Sequence, residues 1–387
     1  MRIALIAGSA EPGRDGIGDH ARILAAELVR RGHAAWVLAI NDPHVAEPGS
    51  GRSTVDGVEV AALRIPAAIS GFRRFALAQA ALDNAEAEAV LYDFSPTQYQ
   101  PRGLIWAMAR EMAALARGRR RALLVHEYCI GSEQGAGLKQ RLWGRAQHWG
   151  FRRFVRSLNG LRIATTNLLY ARLLERDGYG ARIVPLYGNV PVLPPPAANW
   201  CHARLREAGM APQGPGGFYC AGCFGALYDG AELASVLPML RQAADAAGAR
   251  LAILSVGELG GGEPLWRAWQ EKFGGEAAFL RLGRREAGEV SAYIHSLDIG
   301  LATTSMALAG KSGSLAAFLD HGLPALMLND SEKFDLLANG AAALPAGALP
   351  PTEETAARLR QAPRLPRQPR GAAALQATAD WLEGALA

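Results

Sequence analysis

Gly310-Lys311-Ser312-Gly313-Ser314 combines the residue types that hold an anion through backbone amides and one ammonium group. The apolar stretch Leu315-Ala316-Ala317-Phe318-Leu319 follows at helical spacing, and Gly322 and Pro324 stop it. The first amides of a helix have no intrahelical partner, and the positive end of its dipole lies there. A loop of small residues at that point favours a phosphate-bearing ligand, and Lys311 adds a full charge. Lys311, Ser312, Gly313 and Ser314 are therefore the candidate phosphate-binding residues. A second candidate is His126-Glu127, placed directly after the apolar run Ala122-Leu123-Leu124-Val125. That is the carboxyl end of a strand, where ligands gather in doubly wound sheets. Gly16 and Gly18 allow a first glycine loop to approach a ligand closely, while Asp19 and His20 can cap the next helix or face the ligand. Capping suits Asp19 best.

These residues need a scaffold, and the hydrophobic pattern supplies one. The first half alternates strands (residues 2–8, 35–40, 89–92, 122–125, 162–165 and 182–186) with helices (21–31, 103–116 and about 138–158). Residues 16–20 read as a loop between the first strand and helix. The proline run 191–196 is stiff and extended, so residues 191–199 are expected to link two domains, 1–190 and 200–370. Alternation then restarts: strands at 218–223, 250–256, 278–282, 298–303 and 325–328, helices at 232–247, 264–273, 287–295 and 314–319. Such alternation implies an α/β fold of parallel sheets covered by helices on both faces. Residues 341–370, rich in Ala, Pro and Arg, read as irregular. Residues 371–387 read as a final helix that packs back on the first domain, with Leu375, Trp381, Leu382 and Leu386 on its apolar side.

The 387 residues suffice for two cores, and half of them are apolar. No run approaches the roughly 20 apolar residues of a membrane-spanning helix, and the short apolar start breaks at Glu11-Pro12-Gly13 as a strand would. Four cysteines in so long a chain do not form a disulfide framework, so a reducing cytoplasm is expected. Cys220 and Cys223 have the spacing of half a zinc or redox site, but without a second pair they read as core residues. The net charge of +5 is unevenly spread: the first half is basic and the second mildly acidic. Its densest run is Arg117, Arg119, Arg120 and Arg121, which suits either a solvated face or peripheral contact with anionic lipid. No aromatic-interleaved basic motif accompanies it, which argues against nucleic acid.

In order, these pieces resemble the GT-B glycosyltransferases, in particular the large retaining family that includes sucrose synthases and many bacterial polysaccharide glycosyltransferases. The resemblance rests on five stretches: Gly16 to His33, ending in Arg31-Gly32-His33; Ser255-Val256-Gly257-Glu258; Leu282-Gly283; Leu297 to Leu301; and Gly310 to Pro324. It implies two Rossmann-like doubly wound domains facing a cleft. By resemblance the second domain binds a nucleotide-diphosphate sugar through Gly225, Gly257, Lys311, Ser312, Gly313 and Ser314, with Gly16 and Gly18 approaching it from the first. His126 would be the catalytic contact, and Asp19, His20 and Glu127 would meet a glycan or lipid-linked acceptor. The sequence also departs from the family. The paired glutamates around the diphosphate loop fall at Ala309 and Ala317, and residues 224–231 lack the usual Arg and Lys.

The expected function is metal-independent glycosyl transfer with retention, using no cofactor beyond the nucleotide sugar. The chain has no Asp-x-Asp metal handle. A rival is a binding protein of the same fold that has lost turnover, as the missing carboxylates would allow. A P-loop phosphohydrolase is the more distant rival. Gly310-Lys311-Ser312 ends a Walker-A-like span and Asp330 could serve as its later carboxylate, but Ser305 stands where the leading glycine belongs.

Overall fold

The computed structural model describes residues 1–330, 334–337 and 344–387. They divide into two compact units, one comprising residues 1–189, 334–337 and 373–387, the other 190–330 and 344–372.

The first unit begins β1 (Arg2–Ala7), α1 (Gly16–Arg30), β2 (Ala34–Asp42), β3 (Gly49–Val55), β4 (Val58–Pro66), α2 (Gly71–Asn84) and β5 (Ala89–Phe94). It continues with α3 (Pro96–Tyr99), α4 (Ala109–Ala114), β6 (Arg120–Val125), α5 (Leu138–Arg156), β7 (Arg162–Thr165), α6 (Leu168–Arg176) and β8 (Ala181–Ile183). The sheet order is β3-β4-β2-β1-β5-β6-β7-β8, parallel throughout except for the β3–β4 hairpin. All six residues of β5 are buried, as expected of a parallel strand covered on both faces. The chain winds outward from β1 to β2 and β4, then returns to place β5 on the other side of β1. The switch point therefore lies between β1 and β5.

The second unit runs α7 (Trp200–Glu207), β9 (Phe218–Phe224), α8 (Leu233–Ala246), β10 (Arg250–Val256), α9 (Glu263–Phe273), β11 (Ala278–Arg281) and α10 (Ala287–Ser296). It then forms β12 (Ile299–Ser305), α11 (Gly313–Asp320), β13 (Ala325–Asn329), β14 (Ala348–Leu349) and α12 (Glu353–Gln361). Its sheet, β11-β10-β9-β12-β13-β14, is wholly parallel, with the switch point between β9 and β12. The last helix, α13 (Ala373–Leu386), returns to the first unit. Leu375, Trp381, Leu382 and Leu386 are buried there in one core with Leu24, Leu28, Ile3 and Leu5.

Several sequence expectations change. Residues 16–20 are the first turn of α1, not a loop: Asp15 supplies the N-cap, accepting from the N–H groups of Ile17 and Gly18. The cap is therefore not Asp19. The segment 103–116 is broken: Gly103 is left-handed (φ +68°), a 3-10 turn spans Ile105–Ala107, and α4 begins only at Ala109. The stretch read as irregular contains β14 and α12, the latter capped by Thr352 and bearing Glu353 and Glu354 in its first turn; residues 341–343 of that stretch lie outside the described residues. The β3–β4 hairpin, α2, α6 and α7 are additional to the sequence reading. The proline run is anchored to α10: the Leu193 N–H donates to Ser291 Oγ (3.1 Å) and its carbonyl accepts from His295 Nε2 (2.7 Å).

Candidate functional site

At the carboxyl edge of the first sheet, three side chains from three elements converge. His20 comes from the first turn of α1, Asp93 from the penultimate position of β5, and His126 follows β6. Their exposures are 4%, 0% and 6%. His126 Nε2 lies 3.0 Å from Asp93 Oδ1, and His20 Nδ1 lies 3.2 Å from the same oxygen. The two imidazoles meet edge to face (centroids 4.6 Å, 77°), and Tyr187 stacks on His20 (4.3 Å, 16°). The Tyr187 hydroxyl donates to the His20 carbonyl at 2.8 Å, which ties the stack to the backbone. Burial by itself would discourage the charge on Asp93, but the two imidazoles reverse this and hold its carboxyl at about 2. Burial pushes His20 the other way, toward its neutral form.

Local sequence explains how α1 reaches this edge. Asp15 Oδ1 accepts from Ile17 N, Gly18 N and Gln98 Nε2, closing the helix start onto the segment after β5. A Cβ on Gly18 would stand 2.4 Å from the Ser9 carbonyl oxygen, so only glycine lets the helix pack on the turn after β1. Gly16 has open space around it. Asp19 is buried and accepts from Gly13 N (3.0 Å) and Arg22 Nη1 (2.8 Å), with Asn189 Nδ2 at 3.5 Å. It pins the loop before α1. Glu127 accepts from Ser95 Oγ (2.7 Å) and Thr97 Oγ1 (3.3 Å). The first-unit candidates Gly16, Gly18, Asp19, His20, His126 and Glu127 thus share one edge. Asp93, which binds the two histidines together, was missed; the available signal was a lone carboxylate in an otherwise apolar strand.

The second-unit candidates share the carboxyl edge of the other sheet. Gly225 and Gly257 end β9 and β10 in left-handed turns (φ +75° and +95°), and a Cβ on Gly257 would come within 3.2 Å of the Gly225 backbone. Thr303 Oγ1 on β12 donates to the Ala226 carbonyl (3.1 Å), joining the two strands that flank the switch point. Residues Met306–Lys311 form a 3-10 turn leading into α11. Ser312 is that helix's N-cap: its Oγ accepts from Leu315 N–H (3.3 Å) and from Thr304 Oγ1 (3.0 Å), and its own N–H donates to the Ala309 carbonyl. Ser312 is occupied within the fold, which leaves the exposed Gly313 and the half-buried Ser314 as the small residues of the first turn. Ala309 and Ala317 are both buried in the apolar core of this unit, where an ionised glutamate would need its own partners.

Two doubly wound units in one chain are the arrangement found in the GT-B class of α/β fold, and solved structures of that fold match the chain. Among solved structures the chain is similar to sucrose-phosphate synthase from Thermosynechococcus elongatus, at 13% identity and a TM-score of 0.60 over 99% of this chain and 96% of that one. It is similar to WaaG, a glycosyltransferase involved in lipopolysaccharide biosynthesis, at 16% identity and a TM-score of 0.53 over 99% and 94% of the two chains. HepE from Anabaena, in complex with UDP and glucose, matches at 12% identity and 0.53 over 98% and 92%. At these identities the likeness shows the fold. No protein-family model and no curated protein sequence matches the chain.

Proposed function

We propose that this protein is a glycosyltransferase that moves a sugar from a nucleotide-sugar donor to a glycan or lipid-linked acceptor in polysaccharide or glycoconjugate biosynthesis. The observation that carries this reading is the start of α11. Two small residues with first-turn amides, preceded by Lys311, stand after β12 at the switch point of the second sheet. An anion held there is stabilised as negative charge grows on a departing nucleoside diphosphate. The first unit, with His126 at its sheet edge, takes the acceptor and the transferred sugar. The helix terminus and one ammonium group serve as the counter-charge, so transfer proceeds without a divalent metal or other cofactor, and by resemblance with retention at the anomeric carbon. We place the protein in the cytoplasm, in keeping with its four free cysteines.

Peripheral contact with anionic membrane is part of the same proposal, and we favour α5 over the arginine run as the surface that makes it. In the arginine run, Arg119 is engaged with Asp83 and the carbonyls of Ala87 and Leu115, and Arg120 donates to the Leu386 carbonyl. α5 instead exposes Leu138, Leu142, Arg145, Trp149 and Arg156, which fall on one helical stripe, with Lys139 and Arg141 alongside.

The test is a panel of nucleotide sugars, followed by binding calorimetry and transfer assays with and without chelator. Lys311→Ala is expected to weaken donor binding at least about tenfold, as loss of a charge-assisted phosphate contact does. Unchanged affinity would remove Lys311 from the site. The buried Ala309 and Ala317 keep one second reading open, a sugar-nucleotide-binding protein without turnover; donor binding with neither transfer nor hydrolysis would select it.

A further inference from the structure

We propose that Asp93 is a positioning residue: it holds His126 as the Nε2–H tautomer, so that Nδ1 faces the ligand as a hydrogen-bond acceptor for a sugar or acceptor hydroxyl. The inference rests on the reading of His126 as a ligand contact and adds to it which atom acts and what it recognises.

An ionised carboxylate only accepts hydrogen bonds. The ring nitrogen 3.0 Å from Asp93 Oδ1 therefore carries the proton, and in the neutral ring the lone pair is left on the other nitrogen. No partner for Nδ1 is found among the described residues. The ring is also held in place. The His126 N–H donates to the Phe94 carbonyl (2.8 Å), one residue beyond Asp93, and His20 packs against the ring face to edge under Tyr187. A lone pair in that position repels a phosphate oxygen and attracts an O–H donor. The first-unit edge accordingly selects hydroxyl-bearing groups, and the diphosphate is left to the start of α11.

The competing arrangement is a divalent cation bound by the same three side chains, whose ligating atoms all lie within 4.8 Å of one another. Both histidine nitrogens approach one oxygen, at 3.0 and 3.2 Å. Those separations are shorter than the roughly 3.4 Å between two ligands of a tetrahedral zinc site with bonds of about 2.1 Å. The His126 contact is a hydrogen bond, whereas His20 Nδ1 is held near the same oxygen without hydrogen-bond geometry.

Two measurements decide the question. The first is a long-range 15N–1H correlation spectrum of the full chain labelled at histidine, with His126 assigned by its loss in His126→Gln. A protonated Nε2 and bare Nδ1 are expected; the opposite tautomer overturns the proposal. So does zinc that shifts the His20 and His126 signals together and is reversed by chelator. The second is Asp93→Asn, whose amide can turn its NH2 toward the ring and reverse the tautomer. Its kcat is expected to fall at least about tenfold while the donor KM stays within about twofold. An unchanged kcat in a folded variant overturns the proposal. The spectrum does not require activity or a stable variant. Failure of the wild-type protein to transfer any sugar would sink the transferase reading alone, whereas transfer with the wrong tautomer would sink this inference alone.

Discussion

Asp42 shows how surrounding donors make a single buried charge stable. It is fully buried at the end of β2 and accepts from Arg64 Nε (2.7 Å), Ala10 N (3.1 Å) and His44 N (2.9 Å). Burial alone would raise its pKa, but Arg64 and the two backbone amides outweigh burial and depress it below the usual carboxylate range. A carboxylate depressed on folding stabilises the native state fully above its unfolded pKa of about 3.9, and that contribution is lost as pH falls through the lower folded value. Asp42→Asn is expected to cost about 1–3 kcal/mol near neutral pH and to flatten the acid limb of a stability-versus-pH curve. Denaturant melts across acidic pH that superimpose on wild type would contradict this account. Asp93 obeys the same electrostatics, but its partners are two imidazoles at a sheet edge, which is why it belongs to the site.

Among the elements, α1 depends most on particular residues. Asp15 caps it, and Gly18 brings it against the turn after β1. Gly18→Ala forces a methyl onto the Ser9 carbonyl oxygen. It is expected to destabilise the protein by about 1–3 kcal/mol and to displace His20 and Asp19 as well. A thermal melt unchanged from wild type would show that the helix can retreat at no cost. Elements were legible where periodicity was long and uniform: β9, β10, β12 and α5 fall within a residue or two of their expected limits. The β3–β4 hairpin was not found, because its outer strand is exposed and reads as polar loop. Its signal was local: Asp56-Gly57, both at positive φ, form the two-residue turn between Val55 and Val58.

For the molecule as a whole, the return of α13 is the most consequential feature. Arg31 Nη1 reaches Asp380 (2.6 Å) and Glu383 (2.8 Å), His33 Nε2 reaches Glu383 (2.8 Å), and Arg120 holds the Leu386 carbonyl. The Arg-Gly-His stretch that carried part of the resemblance thus fastens the end of the chain to the first unit. The uneven charge also acts at this scale, because a basic, apolar stripe on α5 suits an anionic surface. Flotation with vesicles of anionic phospholipid is expected to recover the protein at low salt and to lose it at high salt, and Arg145→Glu with Arg156→Glu is expected to abolish recovery. Equal flotation with neutral vesicles, or none with anionic ones, would remove the membrane from the proposal.

Local physics made much of this protein readable in one dimension. Apolar runs of strand length, glycines in left-handed turns and a small-residue loop before a short helix all act within about ten residues of one another. They specified the α/β alternation and most of its strands. Pairing between distant segments has no local signature. The order β2-β1-β5-β6 alone brings Asp93 beside His126 and lets α1 deliver His20 to both. The burial of Ala309 and Ala317, and the consumption of Ser312 as a cap, were decided in the same way, by which faces of α11 and of the 3-10 turn before it the core claimed.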